Sequence, residues 1–369
     1  VVADEQAFAL DLLGRLGPAL PNLVLSPSSI ATVLAMLEPG AAGATATAIA
    51  RTLHSPSLTP GQQARGWDAL AAAVSRRAVG DHIVLDTANQ AWFAANLPVL
   101  ASYLRALAAD FHTGAQHLGA DPAVAARAID AWVAAHTGGH ITQLVTEQEL
   151  EHAVAVLVDA IYMKAAWATA FDVHDTAPAP FHVSSSKTVQ VQTMETPDPF
   201  EAAVSVSPAL DAVDLPYRGD NFSALVLMPP LGRLAAFEKT LTAAQLSGIV
   251  AALRSQAVDV YMPRFSVTSD LTLNQVLSAM GMGQAFTNAA DFSNLSSQPV
   301  KLSYVVHDAQ MKVNENGTEA SAATAVIAVP TAVMPRPALR VVVDHPFLFL
   351  VRDDATGLII FETQVGNPA

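Results

Sequence analysis

The sequence predicts an α+β fold, with helices in the first half, strands in the second and a large central β-sheet. Three observations carry that reading. Apolar residues recur at helical spacing early in the chain, and short apolar runs between turn residues dominate its later part. Hydrophobic residues make up 51% of 369, ample for one large core. No Pro/Gly/Ser linker, charge block or repeat divides the chain, so 1–369 reads as a single domain.

The elements follow in order. Residues 5–16 place Phe8, Leu10, Leu12, Leu13 and Leu16 on one helical stripe. Ser26 and Ser28 can cap a helix over 29–37, which Pro39-Gly40 ends. Helical patterns continue over 45–53, 62–76, 99–111 and 123–137, interrupted by apolar strand candidates at 83–93 and 154–163. Strands then alternate with turns at 212–215, 222–228, 258–262, 302–313 and 339–343. The last pair, 347–351 and 358–363, brackets a hairpin turn at Asp353-Asp354-Ala355-Thr356-Gly357.

Composition excludes several functions. A formal charge of −14 with only 19 Lys and Arg argues against nucleic acid and against heparin-like polyanions. Arg76 and Arg77 read as an ordinary solvated helix face. With no cysteine, disulfides, thiolate chemistry and Cys-based zinc sites are ruled out. No run of about 18 uninterrupted apolar residues marks a membrane span. The chain starts at Val1 rather than Met, and export is slightly favoured over a cytoplasmic location. No GxSxG elbow, HExxH, Walker loop or placed GxGxxG is present, so no enzyme and no cofactor is expected. His136 and His140 have metal-ligand spacing, but Gly138-Gly139 breaks the helix such a site needs.

Residues 313–332, VNENGTEASAATAVIAVPTA, carry two incompatible backbone instructions. Val313 to Glu315 read as a strand end, and Asn316-Gly317 as a turn, because both tolerate positive φ. From Thr318 to Val329 nearly every side chain is small or β-branched, with Glu319 the one charge. Small side chains bury too little area to hold a loop down, so an exposed, mobile loop is expected. Yet Thr324, Val326, Ile327 and Val329 favour strand. Composition alone also fits a flexible Ala/Thr linker.

The stretch NENGTEASAAT resembles the hinge of the serpins, proteinase inhibitors whose reactive loop inserts into their own sheet. Further resemblances fall in family order: NLVLSPSSI at 22–30, LVDAIYMKAAW at 157–167, LPY at 215–217, LMP at 227–229 and MPRF at 262–265. Gly281-Met282 with Phe286, DFS at 291–293 and HPFLF at 345–349 complete the set, which spans nearly the whole chain. The resemblance implies a serpin fold, with helices, a large central sheet, smaller sheets and an exposed reactive loop at about 316–337. High alanine content and more Arg than Lys resemble a thermostable bacterial member.

It also implies suicide inhibition of a serine proteinase through a covalent acyl-enzyme complex, by a monomer. Cleavage frees the loop, and about 14 residues from Thr318 onward, at ~3.3 Å each, carry the tethered enzyme ~45 Å. Deacylation needs precisely placed oxyanion donors, so a distorted enzyme stays trapped. Thr318, Ala320, Ala322, Thr324, Val326 and Ala328 share one strand face, free of charge and bulk, while Glu319 begins the other. Thr318 reads as the first side chain buried on insertion.

By resemblance the hinge comprises Glu315, Gly317, Thr318, Glu319, Ala320, Ser321, Ala322, Ala323 and Thr324. Family spacing from Glu315 places the reactive bond at Thr331-Ala332, with Ala328, Val329 and Pro330 in the protease subsites. Ala332-Val333 and Val333-Met334 stay open. The small-aliphatic sequence with proline second resembles loops aimed at elastase-, subtilisin- or chymotrypsin-like enzymes. Ser26, Ser29, Asp159 and His307 match the shutter, and Trp167, Arg264 and Glu315 the breach. Asp159 stands where the family has asparagine, and an ionised Asp159 beside His307 would favour a charged imidazole. Two other readings remain: a non-inhibitory serpin that binds partners or acts like a chaperone, and a hydrolase with a scattered Ser-His-Asp set.

Overall fold

The computed structural model describes residues 1–196, 200–207, 209–219, 221–318 and 338–369. Helices α1 (Val2–Leu16), α2 (Pro27–Ala35), α3 (Gly43–Thr52), α4 (Pro60–Gly80), α5 (Ala101–Asp110) and α6 (Pro122–His136) fill the first half. Shorter ones follow: α7 (Glu147–Leu150), α8 (Leu234–Thr240), α9 (Ala243–Ala252) and α10 (Asn274–Leu277). Three of the longer helices, α2, α4 and α6, begin at a side-chain cap. Ser26 alone caps α2, accepting from the Ser29 N–H at 3.4 Å, while Ser28 sits in the first turn. Thr59 and Gln62 form a capping box ahead of α4, and Asp121 accepts from two N–H groups at the start of α6.

The first eight strands are β1 (Asn22–Leu25), β2 (Val84–Ala94), β3 (Gln116–Leu118), β4 (Ala155–Ala166), β5 (Ala177–Ser184), β6 (Lys187–Glu195), β7 (Phe200–Ser207) and β8 (Leu210–Pro216). The rest are β9 (Phe222–Met228), β10 (Arg254–Pro263), β11 (Phe265–Thr272), β12 (Tyr304–Asn314), β13 (Gly317–Thr318), β14 (Leu339–Val342), β15 (Phe347–Asp353) and β16 (Ile359–Val365). They form two sheets. One has six strands in the order β11-β12-β13-β4-β2-β3. The other has ten, ordered β1-β16-β15-β9-β8-β7-β10-β6-β5, with β14 alongside β10.

Alternation along β4 sends its side chains into two cores. Leu157, Ile161, Met163 and Ala165 join the main core between the sheets. Val156, Val158 and Ala160 face the other way, with Val306 of β12, against Ile129 and Val133 of α6. The six-stranded sheet is therefore buried on both faces around β4, and α6 closes its outer side.

Two expectations need correction. Arg77 is no solvated residue: its Nε and Nη2 both donate at 2.6 Å to the buried Asp353 carboxylate, tying α4 to the hairpin turn. Helix α4 also runs past Arg76 to Gly80, where Ile83 N–H reaches the Ala78 carbonyl at 2.8 Å and His82 N–H the Val79 carbonyl at 3.2 Å. That is a Schellman ending, with histidine in the left-handed position usually given to glycine. The non-glycine residues at positive φ among those described are all histidines beyond helix ends: His54, His82, His112 and His152, with φ between 52° and 63°.

Candidate functional site

The six-stranded sheet forks. In its lower half β12 and β4 run parallel and pair directly, from Tyr304 opposite Val156 to Ala309 opposite Ile161. Above that point β13 lies between them, antiparallel to both. Gly317 and Thr318 face Asn314 and Val313 on one side, and Ala166 and Ala165 on the other.

The turn that sends the chain back has visible causes. Asn314 Oδ1 accepts the Asn316 N–H at 2.9 Å, an Asx turn. Gly317 has φ +143°, and a Cβ there would sit 2.0 Å from the Ala165 carbonyl oxygen, so no other residue fits. Thr318 is wholly buried, and its hydroxyl lies 2.5 Å from Tyr217 Oη. The expectation that Thr318 waits outside the sheet is therefore corrected: it is already a strand residue. Buried ladder partners on both sides, together with the Tyr217 hydroxyl, outweigh its small size. Glu319, Ala320, Ser321, Ala322, Ala323 and Thr324, with Ala328, Val329, Pro330, Thr331 and Ala332, lie outside the described residues. They belong to 319–337, which connects β13 to β14.

Trp167, Arg264 and Glu315 meet around this stub. The Trp167 indole N–H donates to the Asn314 carbonyl at 3.0 Å, and its ring stacks on Tyr217 with centroids 4.6 Å apart. Arg264 Nε donates to the buried Glu315 carboxylate at 2.5 Å, and Thr176 Oγ1 approaches the same oxygen. The Glu315 carbonyl accepts the Phe171 N–H at 2.9 Å. Burial pushes the Tyr217 hydroxyl above its ordinary range, so it stays neutral and can donate.

Lower down, where β12 and β4 touch, Ser26, Ser29, Asp159 and His307 form one buried network. His307 Nδ1 lies 2.7 Å from Asp159 Oδ2, and both side chains are fully buried. The other ring nitrogen, Nε2, accepts the Ser26 backbone N–H at 3.2 Å. A backbone N–H can only donate, so Nε2 is the acceptor in this network and Nδ1 is the nitrogen turned to Asp159. The Ser29 hydroxyl donates to Asp159 Oδ1 and lies 2.9 Å from Asn89 Oδ1 on β2. Asn89 and Thr176 escaped the sequence reading, and Tyr217 entered it only as part of the LPY motif. A lone Asn inside an apolar strand was the signal available for Asn89.

On the outer face, Asp308 of β12 stands opposite Asp270 of β11. Burial first, then the Asp270 charge, raise the Asp308 carboxyl to about 6. Among the described residues no cluster of His, Cys, Asp or Glu could hold a metal ion.

A family model described as "Serpin (serine protease inhibitor)" matches residues 3–368. The chain is 32% identical to a serpin-like protein of Thermococcus kodakarensis, over 100% of this chain and 86% of that one. It is also 32% identical to leukocyte elastase inhibitor A of Mus musculus, covering 98% and 97%. Human thyroxine-binding globulin, solved with thyroxine bound, superposes with a TM-score of 0.87 at 26% identity, over 100% of this chain and 98% of that one. With its forked sheet and a family pattern that runs from residue 3 to residue 368, the chain belongs to the serpin family.

Proposed function

We propose that this serpin is a suicide inhibitor of serine proteinases, and that residues from 319 onward enter the fork as a further strand. One observation carries the reading: β13 already pairs antiparallel with both walls of the fork. Continuing those two registers downward gives a consistent result. Six residues beyond Thr318, Thr324 falls opposite Asp159 on β4 and His307 on β12 at once. It shares the inward face of Thr318, so its hydroxyl would meet the buried network when the strands part. Ala328 falls opposite Ala155, where β4 begins.

Insertion would exchange one six-residue parallel ladder for two antiparallel ladders of about ten residues. The gain is about a dozen hydrogen bonds at a net ~1 kcal/mol each, comparable with the whole stability of a domain. From Thr318 to Thr331 the chain extends about 40 Å, which moves a tethered proteinase the length of the sheet. That distorts the oxyanion site, and the acyl-enzyme persists.

Cleavage is assigned to Thr331-Ala332, with Ala328, Val329 and Pro330 in the subsites, for an elastase-, subtilisin- or chymotrypsin-like enzyme. Mixing the protein with pancreatic elastase should give an SDS-stable complex and a released peptide beginning at Ala332 or within two residues after it. Clean cleavage with no complex would instead leave a non-inhibitory, binding serpin, the class for which the structural likeness to thyroxine-binding globulin speaks. Repeated turnover without loss of protein would mean a hydrolase.

A further inference from the structure

Three carboxylic acids meet where α1 and α8 cover β16. Glu5 of α1 is 0% exposed, Glu238 of α8 1% and Glu362 of β16 0%. Glu362 interacts electrostatically with both of the others. Of the six carboxyl oxygens, Glu5 Oε2 alone accepts a hydrogen bond, from the Ile359 N–H at 3.4 Å, and the other five accept none. Gln364 Oε1 is a further buried acceptor without a donor, since its amide nitrogen is turned to the Leu20 carbonyl at 2.7 Å. The space is tight. A Cβ on Gly17 would lie 2.6 Å from Gln364 Oε1 and 2.8 Å from Glu238 Oε2.

Among the described residues no cation is paired with these acids. On α1, Asp4 holds the terminal amine and Asp11 holds Arg15 at 2.6 Å, on the solvent side. Lys239 of α8 is exposed. On β15 the Arg352 guanidinium is engaged by Asp214 and Asp354, and Asp353 by Arg77. Asp270 of β11 faces Asp308. β1, the Gly17–Ala19 turn, α2, α9 and α10 contribute no charged side chain.

A cluster of acceptors alone has no internal way to satisfy itself. Protons on the carboxyls would supply the missing donors and remove the repulsion in one step.

We propose that Glu5, Glu238 and Glu362 form a proton-held latch: neutral carboxyls keep α1 and α8 seated on the ten-stranded sheet, and their ionisation loosens that layer. Burial, the first cause for each, raises Glu5 well above its ordinary value and lifts Glu238 and Glu362 to about 8. The sign follows from proton binding. These groups have unfolded values near 4.5, so between about 4.5 and 8 the native state holds protons that the unfolded chain has lost. Their contribution to stability is complete below that window and fades as pH rises through it. The latch does not depend on whether the chain inhibits a proteinase.

The test compares urea unfolding of wild type, Glu362→Gln and Glu238→Gln between pH 5 and 9. An amide fills the same space but has no proton to lose. Each trio carboxyl should steepen the pH dependence of the wild-type unfolding constant by up to about tenfold per pH unit relative to its Gln variant. The variants should match wild type within a few-fold near pH 5 and exceed it near pH 9. Infrared spectra of the wild type at pH 7 should show a neutral carboxyl band that weakens in each variant. Parallel pH profiles in wild type and variants would overturn the latch. So would the absence of that band in the wild type, which also decides the matter if a variant fails to fold.

Discussion

Gly317 and Thr318 define the smallest scale at which this molecule can be perturbed. Replacing Thr318 with arginine would force a guanidinium into a wholly buried slot beside the Tyr217 hydroxyl. Thr318→Arg should therefore lower native stability by about 3–5 kcal/mol. A shifted urea midpoint reads that out. By strand alternation the next residue on the same face is Ala320, which lies outside the described residues. On the proposed mechanism, Ala320→Arg should leave the native midpoint within about 0.5 kcal/mol of wild type, yet stall strand entry and turn inhibitor into substrate. Glu319→Arg, on the opposite face, is the control and should trap elastase like the parent. The count of inhibitor molecules consumed per elastase inactivated separates the three. Equal counts for Ala320→Arg and wild type would sink insertion as the working step. At this scale the sequence reading misplaced the boundary between strand and loop. Asn316-Gly317 was legible as a turn, but nothing local says that Ala165 and Ala166 wait on its far side to pair with the residues that follow. The contact of His307 with the Ser26 backbone N–H was likewise hidden, because Ser26 is remote in sequence.

Among elements, the helices were the most legible because their apolar stripes and caps are local. Their far ends were less so. Residue 76 was read as the end of α4, and the helix continues to Gly80 because His82 takes the left-handed position there. Histidine is an uncommon choice for that site, so no stop signal was visible. A left-handed backbone strains any residue with a Cβ, and His82→Gly should raise stability by about 0.5–1 kcal/mol. Chemical denaturation of the variant measures this, and a loss instead of a gain would show that the imidazole itself makes a contact worth more than the strain. The exposed hairpin of β5 and β6 also went unread. Its serines, prolines and charged ends lack the continuous apolar run that marked β9 or β15. Strand β13 could not have been read at all, being two residues long and held only by tertiary partners.

For the molecule as a whole, the parallel meeting of β4 and β12 is the feature least accessible to local reading. Both are continuous buried runs, and such runs carry no mark of the strand they will meet or its direction. Resemblance to the family implied a large central sheet, and the structure supplies the parallel pairing and its register. Any strand entering between β4 and β12 must also pass beneath α6, whose Ile129 and Val133 pack on Val156, Val158 and Val306. Removing part of that cover should lower the barrier as well as the stability. Ile129→Ala, at a fully buried position, should destabilise the native state by about 2–4 kcal/mol. On the proposed function it should also speed the spontaneous loss of inhibitory activity in uncleaved protein. If activity decays no faster than in wild type, α6 does not gate the fork.

The stub also bears on time. Forming the first contacts of a new strand is ordinarily the slow part, because distant segments must find one another before any bond rewards the search. With Gly317 and Thr318 already seated between both walls, that nucleus exists before a proteinase arrives. What remains is propagation: each incoming residue is placed next to a pair already made, in a direction and register that allow no slip. On the proposed mechanism, a trap that must outrun hydrolysis of an ester would begin its race past the starting line, and its speed would depend on how quickly the parallel half of the sheet unzips.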